Sequence, residues 1–248
     1  MTDGVEIVSD LTREEVEGGI LVTGFRGFGL VGYLVSKHLA LALKAEKRGY
    51  ILAPYMPPVL LVEEDGVGYP FDIYFHREKR IVIVVHRANP EREVQDDYTK
   101  ALADWAGEMG ISLAVLVGGL SDEFKPSNEA YGYRWISNKY YIGKKLEAPT
   151  MDVGLGVIGP LALLHIYLEA RRIPSIMILP YAAAERSDYD AVALGLKVIG
   201  REVLGVEIPT GDVERMAAQQ REFLEYVRRT LEEQPGERGE EEESGIYM

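Results

Sequence analysis

Gly27, Gly29 and Gly32 have the residue type and spacing of a phosphate-binding turn. They match the pattern G-x-G-x-x-G, and they lie between a predicted strand at residues 19–23 and a predicted helix at residues 30–44. Backbone N–H groups at the start of such a helix bind anions, so the three glycines form a candidate anion site. The same residues would also allow the helix to begin close against the sheet.

The dinucleotide form of this motif also needs an acidic residue at the end of the next strand, where it holds the ribose hydroxyls. The corresponding stretch, residues 53–57, reads APYMP and contains no acid. We therefore interpret the glycines mainly as packing residues and keep the anion site as the alternative.

Two further glycine clusters keep a ligand-binding function open. Residues 154–159 repeat the pattern, and His38 and His165 each follow the last glycine of their cluster by the same six positions, as a faint duplication or by coincidence. Gly118-Gly119 follows another predicted strand, as part of a crevice or as a tight turn. The alternative function is an enzyme that binds a nucleotide or a phosphorylated metabolite in this crevice.

Other catalytic patterns are absent from the sequence. The chain has no cysteine, no G-x-S-x-G segment, and four histidines without metal-ligand spacing. We interpret His38 and His165 as residues on helix faces. Asp96 and Asp97 are adjacent on a predicted helix, so they cannot face one substrate together. We predict no catalytic residue, no metal and no cofactor, and hence a protein that is not an enzyme.

Composition limits the class of partner. The 248 residues carry a formal net charge of −13, which opposes binding to nucleic acid and to anionic membranes. The N-terminus has no secretory signal, and no apolar run is long enough to span a membrane. Together with the absence of cysteine, these features predict a cytoplasmic protein.

Strands and helices alternate along most of the chain. After the first strand and helix come several strands with at least one hairpin, a helix to about residue 109, a strand at 111–117 and an aromatic stretch at 131–141. That stretch is either a partly buried loop or a partner surface. Further helices are predicted near 160–172, 188–204 and 211–231, listed with the strand between the first two at residues 175–181. The pattern predicts a three-layer α/β/α sandwich around a mainly parallel sheet with antiparallel additions.

The C-terminus differs from the rest of the chain. We divide the sequence into an α/β body at 1–209, a helix at 210–231 and a disordered acidic tail at 232–248. Residues 232–245 contain seven acids, one arginine and no apolar residue, yet the chain then ends in Ile246-Tyr247-Met248. A terminal carboxylate, a rigid tyrosine and an apolar neighbour on a flexible tether suit capture of a chain end by a pocket on another protein.

This ending resembles the hydrophobic-Tyr-any residue tail with which proteasome activators and assembly factors insert between α-subunits of the core particle. The body resembles the second proteasome assembly chaperone family in its archaeal form. The resemblance covers residues 15–205 and is carried by GILVTGFRGFGLVGYLVSKHL, the proline-rich strands before Asp65-Gly66, IVIVVHRANP and the strand into Gly118-Gly119. It implies a chaperone-like body without catalytic activity that assembles with copies of itself. The implied partner is the proteasome core particle, which the protein would help to assemble or would activate without ATP.

Overall fold

A computed structural model describes residues 4–63 and 66–233, with side chains described as far as residue 226. The strands are β1 (Glu6–Ser9), β2 (Ile20–Gly24), β3 (Glu46–Leu52), β4 (Leu61–Glu63), β5 (Gly66–Gly68), β6 (Phe71–His76), β7 (Ile81–His86), β8 (Leu113–Val117), β9 (Leu120–Ser121), β10 (Tyr133–Ser137) and β11 (Ser175–Ala182). The helices are α1 (Arg13–Val16), α2 (Val31–Ala42), α3 (Gln95–Glu108), α4 (Pro160–Ala170), α5 (Tyr189–Val198) and α6 (Gly211–Glu233).

One large sheet has the order β1-β3-β6-β7-β2-β8-β11-β10, and the short β9 pairs with β11. Its centre is parallel, since β2 pairs in parallel with β7 and β8, and β8 with β11. Antiparallel pairings extend it on both sides, β1-β3-β6-β7 at one end and β10 at the other. The predicted mixed α/β sheet is confirmed, with the antiparallel strands of the middle of the chain flanking a parallel centre.

Helices cover both faces of the sheet because successive strand residues point to opposite sides. In β2, Leu21 belongs to one buried cluster and Val22 to the other. The first cluster lies under α3 and α4, and the second lies under α2 and α5. The central strands are therefore apolar on both faces, which explains why residues 81–85 form a continuous apolar run.

Two helices differ from their predicted extents. The helix expected to start after Asn89-Pro90 begins as α3 at Gln95, preceded by one 3₁₀ turn, Arg92–Val94. The helix predicted at 188–204 is α5, continued by a π-helical turn, Ile199–Leu204. None of the helices among the described residues has the length and apolar character needed to cross a membrane.

Candidate functional site

A cleft of about 700 Å³ opens at the carboxyl ends of the central strands. It receives the loops that follow β2, β7, β8 and β11, together with the segment that leads into α4. Because α2 and α3 lie on opposite faces of the sheet, the loops after β2 and β7 diverge and leave a crevice, as is usual in open α/β sheets. The residues that line it are Phe25, Arg26, Gly27, Phe28, Asn89, Arg92, Gln95, Gly119, Leu120, Gly156, Val157, Ile158, Gly159, Pro160, Leu161, Leu179 and Ala184.

Asn89 fixes the loop that follows β2. Its side-chain amide accepts a hydrogen bond from the Arg26 backbone N–H at 2.9 Å and donates one to the Arg26 carbonyl at 2.8 Å. The Arg26 guanidinium in turn donates to the Arg87 carbonyl at 3.0 Å. Arg26 and Arg92 are exposed, and neither forms an ion pair within the described part of the chain. The cleft therefore combines an apolar floor with two cationic side chains at its rim.

The glycines of the first motif have different roles. A Cβ atom on Gly32 would lie 2.4 Å from the Phe25 carbonyl oxygen and 2.6 Å from that of Val117, so this glycine brings α2 against the sheet. Gly29 is buried and has a φ of +62°, which favours glycine. Gly27 has open space where a Cβ would be and lines the cleft. Packing thus accounts for Gly29 and Gly32, while the predicted anion site at Gly27, Gly29 and Gly32 stays a prediction.

The second glycine cluster meets the first at the cleft without repeating its geometry. Gly159 is the N-cap of α4, with Pro160 at the first helical position, whereas Gly32 lies inside α2. The equal spacing to His38 and His165 therefore does not reflect two equivalent helix starts.

The sheet order also differs from that of a dinucleotide-binding fold. There, the strand after the first helix lies beside the first strand and brings its acidic residue to the ligand. Here β6 and β7 separate β3 from β2. The end of β3 therefore lies away from the cleft, which is consistent with the missing acid in residues 53–57.

A buried polar cluster lies beneath the loop that Asn89 holds. His86 is fully buried, and its Nδ1 lies 3.1 Å from the Gly24 carbonyl oxygen. A carbonyl can only accept, so Nδ1 carries the proton and Nε2 accepts from the Tyr98 hydroxyl at 2.9 Å. Thr23 donates to the Val84 carbonyl at 3.0 Å. Burial lowers the pKa of His86 to about 3, so the ring is neutral.

A buried ionic network attaches the small β4-β5 sheet to the main sheet. Arg87 pairs with Asp72 at 2.6 Å and with Glu63, while Lys47 pairs with Asp72 at 2.7 Å and Lys37 with Glu63 at 2.6 Å. Burial acts to lower the pKa of Arg87, but its hydrogen bonds to Glu63 and the charge of Asp72 raise it overall. The charges compensate one another, which permits their burial.

The other singled-out side chains have structural partners. His165 Nδ1 lies 3.1 Å from the Ser175 hydroxyl, and Asp96 accepts a hydrogen bond from Tyr167. Trp135, in the aromatic stretch, is buried and donates to the Ala148 carbonyl at 2.7 Å. Within the residues that the structure describes, no three His, Cys, Asp or Glu side chains are grouped as metal ligands.

Helix α6 leaves the body at the cleft edge of the sheet. It packs antiparallel to α5, since Glu214 near its start pairs with Lys197 at 2.7 Å. Further along, Gln220 donates to the carbonyl of Ser187 at 2.8 Å, three residues after the cleft residue Ala184. The predicted docking tripeptide, Ile246-Tyr247-Met248, and the rest of the chain after residue 233 lie outside the described residues.

Sequence reasoning did not identify most of the cleft. Asn89 was interpreted as a helix start, and Arg26, Arg92 and His86 were assigned no site role. Their positions in separate segments give no local signal, because a long-range hydrogen bond leaves no periodicity in the sequence.

Comparison with known proteins places the chain among related folds. The model of the PAC2 family matches residues 21–227, which extends beyond residue 205 and includes most of α6. An uncharacterised protein of Methanocaldococcus jannaschii is 25% identical over 232 residues, 89% of this chain and 87% of that protein. The crystal structure of Pyrococcus furiosus PbaA, described as an archaeal homologue of proteasome-assembly chaperone, superposes with a TM-score of 0.78 at 19% identity, over 93% and 94% of the two chains. Pyrococcus furiosus PbaB, described as an archaeal proteasome activator, superposes with a TM-score of 0.73 at 19% identity, over 91% and 99%.

Proposed function

Because the family match spans most of its length, this chain belongs to the PAC2 family, and we propose that it binds the proteasome core particle. It would act as an assembly chaperone or as an ATP-independent activator. The observation that carries the proposal is a hydrophobic-Tyr-any residue ending, Ile246-Tyr247-Met248, on a chain whose fold is shared by an archaeal homologue of a proteasome-assembly chaperone and by an archaeal proteasome activator.

The tripeptide docks between α-subunits of the core particle. The C-terminal carboxylate pairs with a cation or with backbone N–H groups, Tyr247 enters the pocket and Ile246 adds apolar contact. The position of α6 supports this function, because the helix leaves the cleft edge and the 15 residues after Glu233 can extend well beyond the body.

Several tails are needed for firm binding. A three-residue contact is weak by itself, whereas copies held in one oligomer share a single association cost and gain avidity when their spacing fits the pockets. The proposal therefore includes a homo-oligomer as the functional form.

Deletion of residues 246–248 is expected to abolish co-purification with the core particle while leaving the fold unchanged. The reason is that the deletion removes every side chain of the docking peptide and shifts the carboxylate to Gly245. The measurement is a pull-down of intact and truncated chain from an archaeal lysate, with circular dichroism of both. Retained binding of the truncated chain would contradict the proposal.

Two single substitutions refine this test. Tyr247→Ala removes the anchor and should reduce the retained core particle by roughly tenfold or more, since aromatic residues dominate such contacts. Ser244→Ala changes the same tail outside the tripeptide and should bind like the intact chain.

The cleft supports a second candidate function, binding of an anionic small molecule. The observation that favours it is the convergence of three glycine segments with Arg26 and Arg92 around one cavity. A ligand at about 100 times its Kd would stabilise the fold by about 2.7 kcal/mol. A panel of nucleotides and nucleosides should then include one that raises the Tm of the intact chain but not of an Arg26→Met, Arg92→Met variant. A panel without any such compound removes this candidate.

A further inference from the structure

Helix α6 has one half against the body and one half beyond it. Val213 and Ala217 are buried against the cluster that includes α5, whereas every residue at 222–226 is exposed. The exposed segment nevertheless carries large apolar side chains, since Phe223 is 64% exposed and Tyr226 is 67% exposed. Exposed neighbours of this size are unusual on the surface of an isolated helix.

The apolar spacing of the buried half continues into the exposed half. Positions 213, 217, 220, 224, 227 and 231 are separated alternately by four and three residues, and all but Gln220 are apolar. This is the heptad spacing of a helix that packs along a second helix. In the first half that helix is α5. From residue 222 to 233 the helix extends for roughly 18 Å past its last described contacts with α5.

We propose that the second half of α6 packs in parallel against the same segment of another copy of this chain. The stripe is formed by Leu224 and, by heptad spacing, positions 227 and 231. The flanking residues select the orientation. In a parallel pair, position 228 of one helix lies beside position 223 of its partner, which places an arginine next to a phenylalanine, a favourable cation–π pairing.

An antiparallel pair has an unfavourable charge pattern. It would place position 228 opposite position 228 of the partner, and both are arginine. Like charges facing each other oppose that arrangement. A parallel arrangement also sends all C-termini in one direction, which gives the presentation of several tails that the proposed function requires; this last step rests on that function, whereas the self-association does not.

The first test measures the mass of the intact protein in solution by light scattering. The intact chain is expected to be an oligomer, and the double variant Phe223→Glu, Leu224→Glu is expected to be a monomer, because it places charges in the stripe. Both positions lie beyond the contacts with α5, so the fold should persist in circular dichroism. Ile166→Glu on α4, where Ile166 is 60% exposed, is the matched control and should leave the mass unchanged.

The second test uses the absence of cysteine from the chain. Leu224→Cys should form an intermolecular disulfide under mild oxidation, because a parallel arrangement brings the same position of two copies together. Gln219→Cys, on the outer side of α6, should remain reduced.

A monomeric intact chain, or an oligomer that survives the double variant, would overturn the proposal. In the latter case the exposed apolar residues Tyr55, Leu60 and Val62 would be the next interface to test. An oligomer that links through cysteine at position 228 but not at position 224 would overturn the parallel orientation. Deletion of residues 246–248 should leave the mass unchanged, so failure of the proposed function and failure of this inference are distinguishable.

Discussion

Gly32→Ala is expected to destabilise the fold by about 3 kcal/mol or more, at the upper end of the cost of overpacking a core. The added Cβ would lie 2.4 Å and 2.8 Å from the carbonyl oxygen and nitrogen of Phe25, and 2.6 Å from the carbonyl oxygen of Val117. These are backbone atoms, so no side-chain rotation relieves the contact. Helix α2 would have to move off the sheet. Thermal unfolding should show a Tm lower by roughly 6 to 12 °C for a chain of this size.

Gly27→Ala is the matched control within the same motif. A Cβ at Gly27 meets nothing within 4 Å, and the residue has extended backbone geometry. Its unfolding free energy should change by less than about 0.5 kcal/mol. Equal stability of the two variants would contradict the packing interpretation of the motif, and a selective loss of ligand binding in Gly27→Ala would favour the cleft as a binding site.

The secondary structure could largely be predicted because it depends on local patterns. The apolar run at residues 81–85 predicted a doubly buried strand, and the turn at 77–79 predicted the hairpin that β6 and β7 form. The YRWIS segment became β10 although it lies in an irregular stretch. In each case burial of alternating or continuous apolar residues fixes the element, and that signal is present in the sequence itself.

The arrangement of the site could not be predicted in the same way. Asn89 reads as a helix start, yet its amide holds the Arg26 backbone 63 positions earlier in the chain. His86 shows no metal spacing and therefore attracts no role, although burial makes it one end of a polar cluster. Such contacts depend on which strands become neighbours. The docking tripeptide stays a prediction, because it lies outside both the described residues and the range of the family match.

The cleft and the tail are alternative sites that share one scaffold. The loop after β2 is fixed by Asn89 from outside and by the Thr23–His86–Tyr98 cluster from beneath. Helix α6 emerges beside the same edge of the sheet. Fixing this edge would therefore serve either function, since a rigid body defines the directions in which tails leave and also preserves the shape of the cleft.

The stability of the protein is expected to fall steeply in acid because of His86. Its pKa is lowered from 6.5 to about 3 in the fold. The unfolded chain therefore binds a proton below pH 6.5 that the folded chain does not bind until about pH 3. The contribution is fully present above pH 6.5 and is lost as the pH falls toward 3. At about 1.36 kcal/mol per pKa unit, the loss is roughly 3 kcal/mol at pH 4.5.

Urea unfolding of intact chain and of His86→Gln at pH 7 and pH 4.5 measures this contribution. The glutamine can still donate to the Gly24 carbonyl and accept from Tyr98, but it does not titrate. Its loss of stability between the two pH values should be smaller by about 3 kcal/mol, because the carboxylate contributions common to both chains cancel. His76→Gln, on the partly exposed end of β6, should behave like the intact chain. If the glutamine variant fails to fold, NMR of the intact chain decides, since an imidazolium signal from His86 at pH 5 would contradict the buried neutral ring.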